Sequence, residues 1–98
     1  MSSENVLITT WLAEFGDGPV RPRDVLDLAL SNDPPPSLRE SLIDVLPSLG
    51  SHPHPKLLSE WLSRNENRPI ANGSGTYRFS RLGHRWRVLP ALNLTPMD

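Results

Sequence analysis

Apolar residues recur at helical spacing through the first two thirds of the chain and at strand spacing near its end. Ile8, Trp11, Leu12 and Phe15 lie three and four positions apart, which predicts a helix over residues 4–15 with one buried stripe. Ser2 or Ser3 can cap it, Glu4 suits its positive end, and Gly16 with Asp17-Gly18-Pro19 turns the chain away. Val20 reads as a short extended piece. A second helix, from Pro22 or Arg23 to Leu30, buries Val25, Leu26, Ala29 and Leu30. Asn32-Asp33 and Pro34, Pro35 and Pro36 stop it, the prolines forming an extended connector. Ser37 and Glu40 are spaced as a capping box for a third helix, whose stripe is Leu38, Leu42, Ile43 and Leu46 and whose end is marked by Pro47 and Gly50. A fourth helix, residues 55–64, starts on Pro55 and turns Leu57, Leu58, Trp61 and Leu62 inward. Lys56, Ser59, Glu60 and Ser63 face outward, with Arg64 near the edge.

From Thr76 onward the period becomes two. The segment TYRFSRLGHRWRVL predicts two strands around a Leu82-Gly83 turn, with Arg81 and His84 flanking it. Counting outward pairs Ser80 with Arg85, Phe79 with Trp86, Arg78 with Arg87 and Tyr77 with Val88. Tyr77, Phe79, Trp86 and Val88 then share one face, and Arg78, Ser80, Arg85 and Arg87 the other. Stacked arginines repel, so the second face suits an anionic neighbour. A short strand near Ile70 or Val20 can complete a small sheet. Helices followed by a hairpin predict a mostly helical α+β domain of winged-helix layout over residues 1–90. Residues 91–98 read as a tail, with Leu92 and Leu94 able to dock on the core.

Charge sharpens this picture. The net charge is only −1, yet residues 1–50 hold eight acidic residues against three arginines, and residues 51–98 hold seven Lys/Arg against three acidic residues. Such a division fits a basic binding surface, and it equally fits two halves that attract each other. Cysteine is absent, which fits a reducing cytoplasm and excludes disulfides and thiolate metal sites. No apolar run reaches the roughly 20 residues of a membrane span, and the N-terminus lacks the basic start of a secretory signal.

The segment LLSEWLSRNENRPIANGSGTYRFSRLGHRWRVLP resembles the C-terminal segment of phage and mobile-element primase–helicase proteins. The matching residues are Leu58, Trp61, Leu62, Arg68, Gly73, Gly75, Tyr77, Arg85, Trp86, Arg87 and Val88. The pieces WLAEFGDGPVRPRDVLDLA and LRESLIDVLPSLG are also similar, so the resemblance runs from Trp11 to Leu89. It implies a winged-helix fold and a role beside a replication enzyme. The enzyme itself is not expected here: no GxxxxGK[ST] motif and no acidic metal-ligand set occur.

Two classes of partner follow. In the first, a DNA backbone meets Arg78, Arg81, His84, Arg85 and Arg87 on the hairpin and Lys56, Ser59, Ser63 and Arg64 on the fourth helix. Glu60 sits badly against phosphate, and no Asn or Gln on that helix face reads adenine, so low sequence specificity is expected. In the second, the chain binds a protein complex, as an interaction module or as a phage-encoded inhibitor such as an anti-CRISPR protein. Trp11, Trp61, Trp86 and Tyr77 can stack on bases but lie in apolar stripes, which favours the core. His52-Pro53-His54 lacks the four ligands of a closed zinc site. No serine sits in a GxSxG elbow, so a non-enzymatic protein without cofactor is expected. Homodimer formation through the first helix stays open, although its one stripe is needed for the core.

Overall fold

A computed structural model describes residues 3–73 and 75–91. It contains α1 (Ser3–Phe15), α2 (Pro22–Ala29), α3 (Leu38–Val45), a 3-10 turn (Pro47–Gly50), α4 (Pro55–Arg64), β1 (Ile70–Ala71), β2 (Thr76–Leu82) and β3 (Arg85–Pro90). The architecture is α+β: four helices and a three-stranded antiparallel sheet in the order β1-β2-β3. Among the described residues no helix is long and apolar enough to cross a membrane.

The helical stripes converge as their spacing requires. Leu7, Ile8 and Trp11 from α1, Val25, Leu26 and Ala29 from α2, and Leu38 and Leu42 from α3 are buried together with Leu58, Trp61 and Leu62 from α4. Phe79, Trp86 and Val88 cover this cluster from the sheet. Phe79 is its aromatic centre, with ring centroids 4.9 Å from Trp11 and 5.9 Å from Trp61, both edge-to-face. That geometry sets ring edges against π faces and adds to the gain from burial. All three tryptophans are buried, which places them in the core rather than on a base-stacking surface. Leu30, expected inside, is 47% exposed because α2 ends one residue earlier, at Ala29.

Several local expectations are corrected. Ser37 does not cap α3: its φ is +75°, whereas a capping residue needs extended backbone to aim its hydroxyl at the first free N–H groups. Its carbonyl instead accepts from the Ser41 backbone N–H at 2.9 Å and from Ser41 Oγ at 2.5 Å. The polyproline stretch ends in a turn, closed by the Leu38 N–H donating to the Pro35 carbonyl at 3.2 Å. Ser3 lies inside α1 and donates its hydroxyl to Asp44 on α3, while Ser2 falls outside the described residues. Pro90 belongs to β3, and the Ala91 N–H extends the ladder by donating to the Thr76 carbonyl at 2.8 Å. The predicted docking of Leu92 and Leu94 lies outside the described residues.

The hairpin register differs by two. Its turn is Gly83-His84, so Leu82 pairs with Arg85, Arg81 with Trp86, Ser80 with Arg87, Phe79 with Val88, Arg78 with Leu89 and Tyr77 with Pro90. Gly83 holds φ +65° at the first central position, the place where a two-residue hairpin turn uses glycine. A slip of two preserves the faces, since side chains alternate with period two. It does remove the direct Arg78–Arg87 pairing, and with it the strongest repulsion expected on that face. Val20 completes the sheet edge beside β3: its N–H donates to the Trp86 carbonyl at 2.8 Å and its carbonyl accepts from the Trp86 N–H at 2.7 Å.

Candidate nucleic-acid interface

The basic side chains fall into two groups, one on the hairpin and one around α4. Arg78, Ser80, Arg85 and Arg87 share the sheet face opposite Phe79, Trp86 and Val88. Arg78 donates to the Asn67 side-chain oxygen at 2.8 Å, and the Asn67 N–H donates to the Phe79 carbonyl at 2.9 Å. Asn67 therefore ties the end of α4 to β2 and fixes one arginine of the face. Its φ of +63° is a left-handed value that asparagine tolerates better than most residues. The Nε of Arg87 is shielded from solvent and has no hydrogen-bond partner. Among the described residues, Arg78, Arg81, Arg85, Arg87, Lys56 and Arg64 form no salt bridge with a carboxylate.

Arg81 stands in β2 rather than at the hairpin tip. It pairs with Trp86 on the helix-facing row, its guanidinium carbon 6.0 Å from the Trp86 ring centroid. That separation is at the outer limit of a cation–π contact. The tip consists of His84 beside Gly83, with Leu82 next to them and 50% exposed.

The second group surrounds α4. Lys56, Ser59, Glu60, Ser63 and Arg64 line an open groove of about 610 Å³ along its outer side, so the residues expected on that face do lie together. Lys56 and Ser59 also line a neighbouring groove of about 370 Å³, shared with Arg21, Pro22, Arg23, Pro55 and His84. The start of α4 is set by His54, whose Nδ1 accepts from the Lys56 N–H at 3.1 Å. That gives His54 a capping role and orients the first turn that carries Lys56.

Arg21 and Arg23 were not singled out by sequence reasoning. The signal available was the sequence Val-Arg-Pro-Arg at positions 20–23, which reads as a helix start. The Val20–Trp86 bridge brings that start, with Arg21, beside the strand that carries Arg85. Asp24 sits between these charges. It accepts from the Arg21 Nε at 3.3 Å, from its NH2 at 3.2 Å and from its backbone N–H at 3.2 Å. These hydrogen bonds hold the Asp24 carboxyl below its ordinary pKa, with weaker attraction from Arg85 adding to them. Arg21 is raised in turn, chiefly by the same hydrogen bond.

The two charged halves of the chain also meet directly, through a salt bridge between Glu4 of α1 and Arg68 ahead of β1. Self-attraction thus accounts for Arg68 and Arg21, while among the described residues the basic groups of the hairpin face and of the outer side of α4 form no carboxylate salt bridge. Compared with known protein families, curated proteins and solved structures, the chain matches none.

Proposed function

We propose that this protein is a small non-enzymatic winged-helix module that binds the phosphate backbone of DNA with low sequence specificity. In this reading the Val20 edge, α2, α4 and the β2–β3 hairpin are the core of the winged helix, and the hairpin is its wing. The element order supports it, since Val20 pairs with β3 and α4 directly precedes the sheet. The observation that carries the function is the set Arg78, Arg85 and Arg87 on one hairpin face, free of carboxylate salt bridges among the described residues. Arginine forks donate parallel hydrogen bonds to phosphate oxygens, and each phosphate neutralised releases condensed cations. Lys56, Ser59, Ser63, Arg64 and His84 extend the contact along α4 and the wing tip. The resemblance to primase–helicase C-terminal segments supports a setting in phage or mobile-element replication.

The test is a fluorescence anisotropy titration of a labelled DNA duplex at two salt concentrations. Affinity should fall steeply as salt rises. A folded protein that leaves the duplex free even at low salt would refute the proposal.

A second reading, a protein-interaction module, is favoured by Glu60 in the middle of the α4 groove and by exposed Leu82 at the tip. Co-purification of a host protein that survives nuclease treatment and is lost on Glu60→Lys supports that alternative.

A further inference from the structure

Arg21, Arg23, Lys56 and His84 come from three segments far apart in the chain, yet they line one groove. Its other walls are Pro22, Pro55 and Ser59, so among the described residues no carboxylate lines the space, although Asp24 holds Arg21 from beside it. Two guanidinium groups, an ammonium group, an imidazole and a hydroxyl are together suited to phosphate oxygens, and lone lysines on a surface would not be. It neighbours the groove along α4, and Lys56 and Ser59 line both.

We propose that this groove seats one phosphate of a nucleic-acid backbone, held by Arg23 and Lys56, with Ser59 and His84 completing the contact. Asp24 tempers the seat. It occupies the Arg21 fork through both Nε and NH2, the same two donors that a phosphate would take. Arg21 is thus an attenuated donor, released only when the bound anion competes with Asp24. This assignment rests on the nucleic-acid reading above and adds Arg21 and Arg23 to its contacts.

The experiment uses the full chain and two probes, a mixed-sequence DNA duplex and inorganic pyrophosphate. Arg23→Ala/Lys56→Ala should bind the duplex about tenfold more weakly and lower the salt slope by about 0.9, the value for one phosphate. Asp24→Asn should tighten binding about threefold, since it frees a charged donor. Pyrophosphate should shift the amide resonances of Arg23, Lys56, Ser59 and His84 in the wild type and leave those of the double variant unmoved. Wild-type affinity and slope in the folded double variant, or pyrophosphate shifts confined to Arg78 and Arg87, would overturn the seat while leaving the DNA reading intact. If the wild type ignores the duplex but pyrophosphate still moves the groove resonances, the DNA reading falls and the groove is a seat for free anions, which overturns its assignment to a nucleic-acid phosphate. Silence from both probes removes both.

Discussion

Asp24 is the residue on which local stability and proposed binding pull in opposite directions. Its carboxylate holds Arg21 and shares its field with Arg85, which lowers its folded pKa. A carboxylate with a lowered pKa contributes stability above its unfolded value, and that contribution is lost as pH falls through the folded value. Removing it with Asp24→Asn should therefore cost stability at neutral pH, with the difference from wild type vanishing as the solution is acidified below the ordinary 3.8. Thermal melts of the two proteins across pH 2–7 would check this; a constant difference across that range would rule out the linkage. The pair is largely solvent-exposed, so the effect is small. Phe79 is the opposite case, fully buried between two tryptophan rings. Phe79→Ala should cost about 3–5 kcal/mol, a large share of the roughly 5–15 kcal/mol that holds a domain of this size folded. Urea melts measure it, and a loss under about 1 kcal/mol would mean that the core is not centred on this ring.

At the scale of the element, the hairpin depends on one backbone conformation. Gly83 holds φ +65° with open space where a Cβ would project, so a side chain there meets strain from the backbone rather than a clash. Gly83→Val should cost about 1–2 kcal/mol, and Gly83→Asn much less, because asparagine tolerates left-handed backbone. Equal losses for the two substitutions in urea melts would argue against a turn at Gly83-His84. The helices were largely legible from the sequence, since α2 and α4 start on Pro22 and Pro55 and their apolar spacing has no competing period. The hairpin faces were legible for the same reason. Its register was not, because turns at Leu82-Gly83 and Gly83-His84 satisfy the same alternation and both can use a glycine of positive φ at position 83; the observed pairing of Leu82 with Arg85 decides between them. The Ser37 cap failed differently: the triple proline delivers Ser37 in a left-handed conformation that a residue-spacing rule cannot see.

Across the whole molecule, the acidic and basic halves are partly matched and partly left apart. Glu4 and Arg68 join them at one point, while Glu60 stands alone among Lys56, Ser59, Ser63 and Arg64. If the α4 groove carries phosphates, Glu60→Gln should tighten duplex binding a few-fold and leave stability nearly unchanged. On the arginine face of the hairpin, Arg78→Ala and Arg87→Ala should each lower the salt slope by about one. Anisotropy titrations over a series of salt concentrations read both effects. An unchanged slope in the arginine variants would remove the hairpin face from the interface.

The sequence by itself determined the α+β composition, the buried stripes and the separation of an arginine face from an aromatic one. Each follows from periodicity, which neighbouring residues carry between them. Only the tertiary structure decided which charges meet. Arg21 and Arg23 stand beside His84 and Lys56 because two backbone hydrogen bonds join Val20 to Trp86 across 65 intervening residues. The sequence marks Val20 as extended, but its partner is chosen by main-chain N–H and carbonyl groups, which nearly every residue carries, so the side chains do not name it.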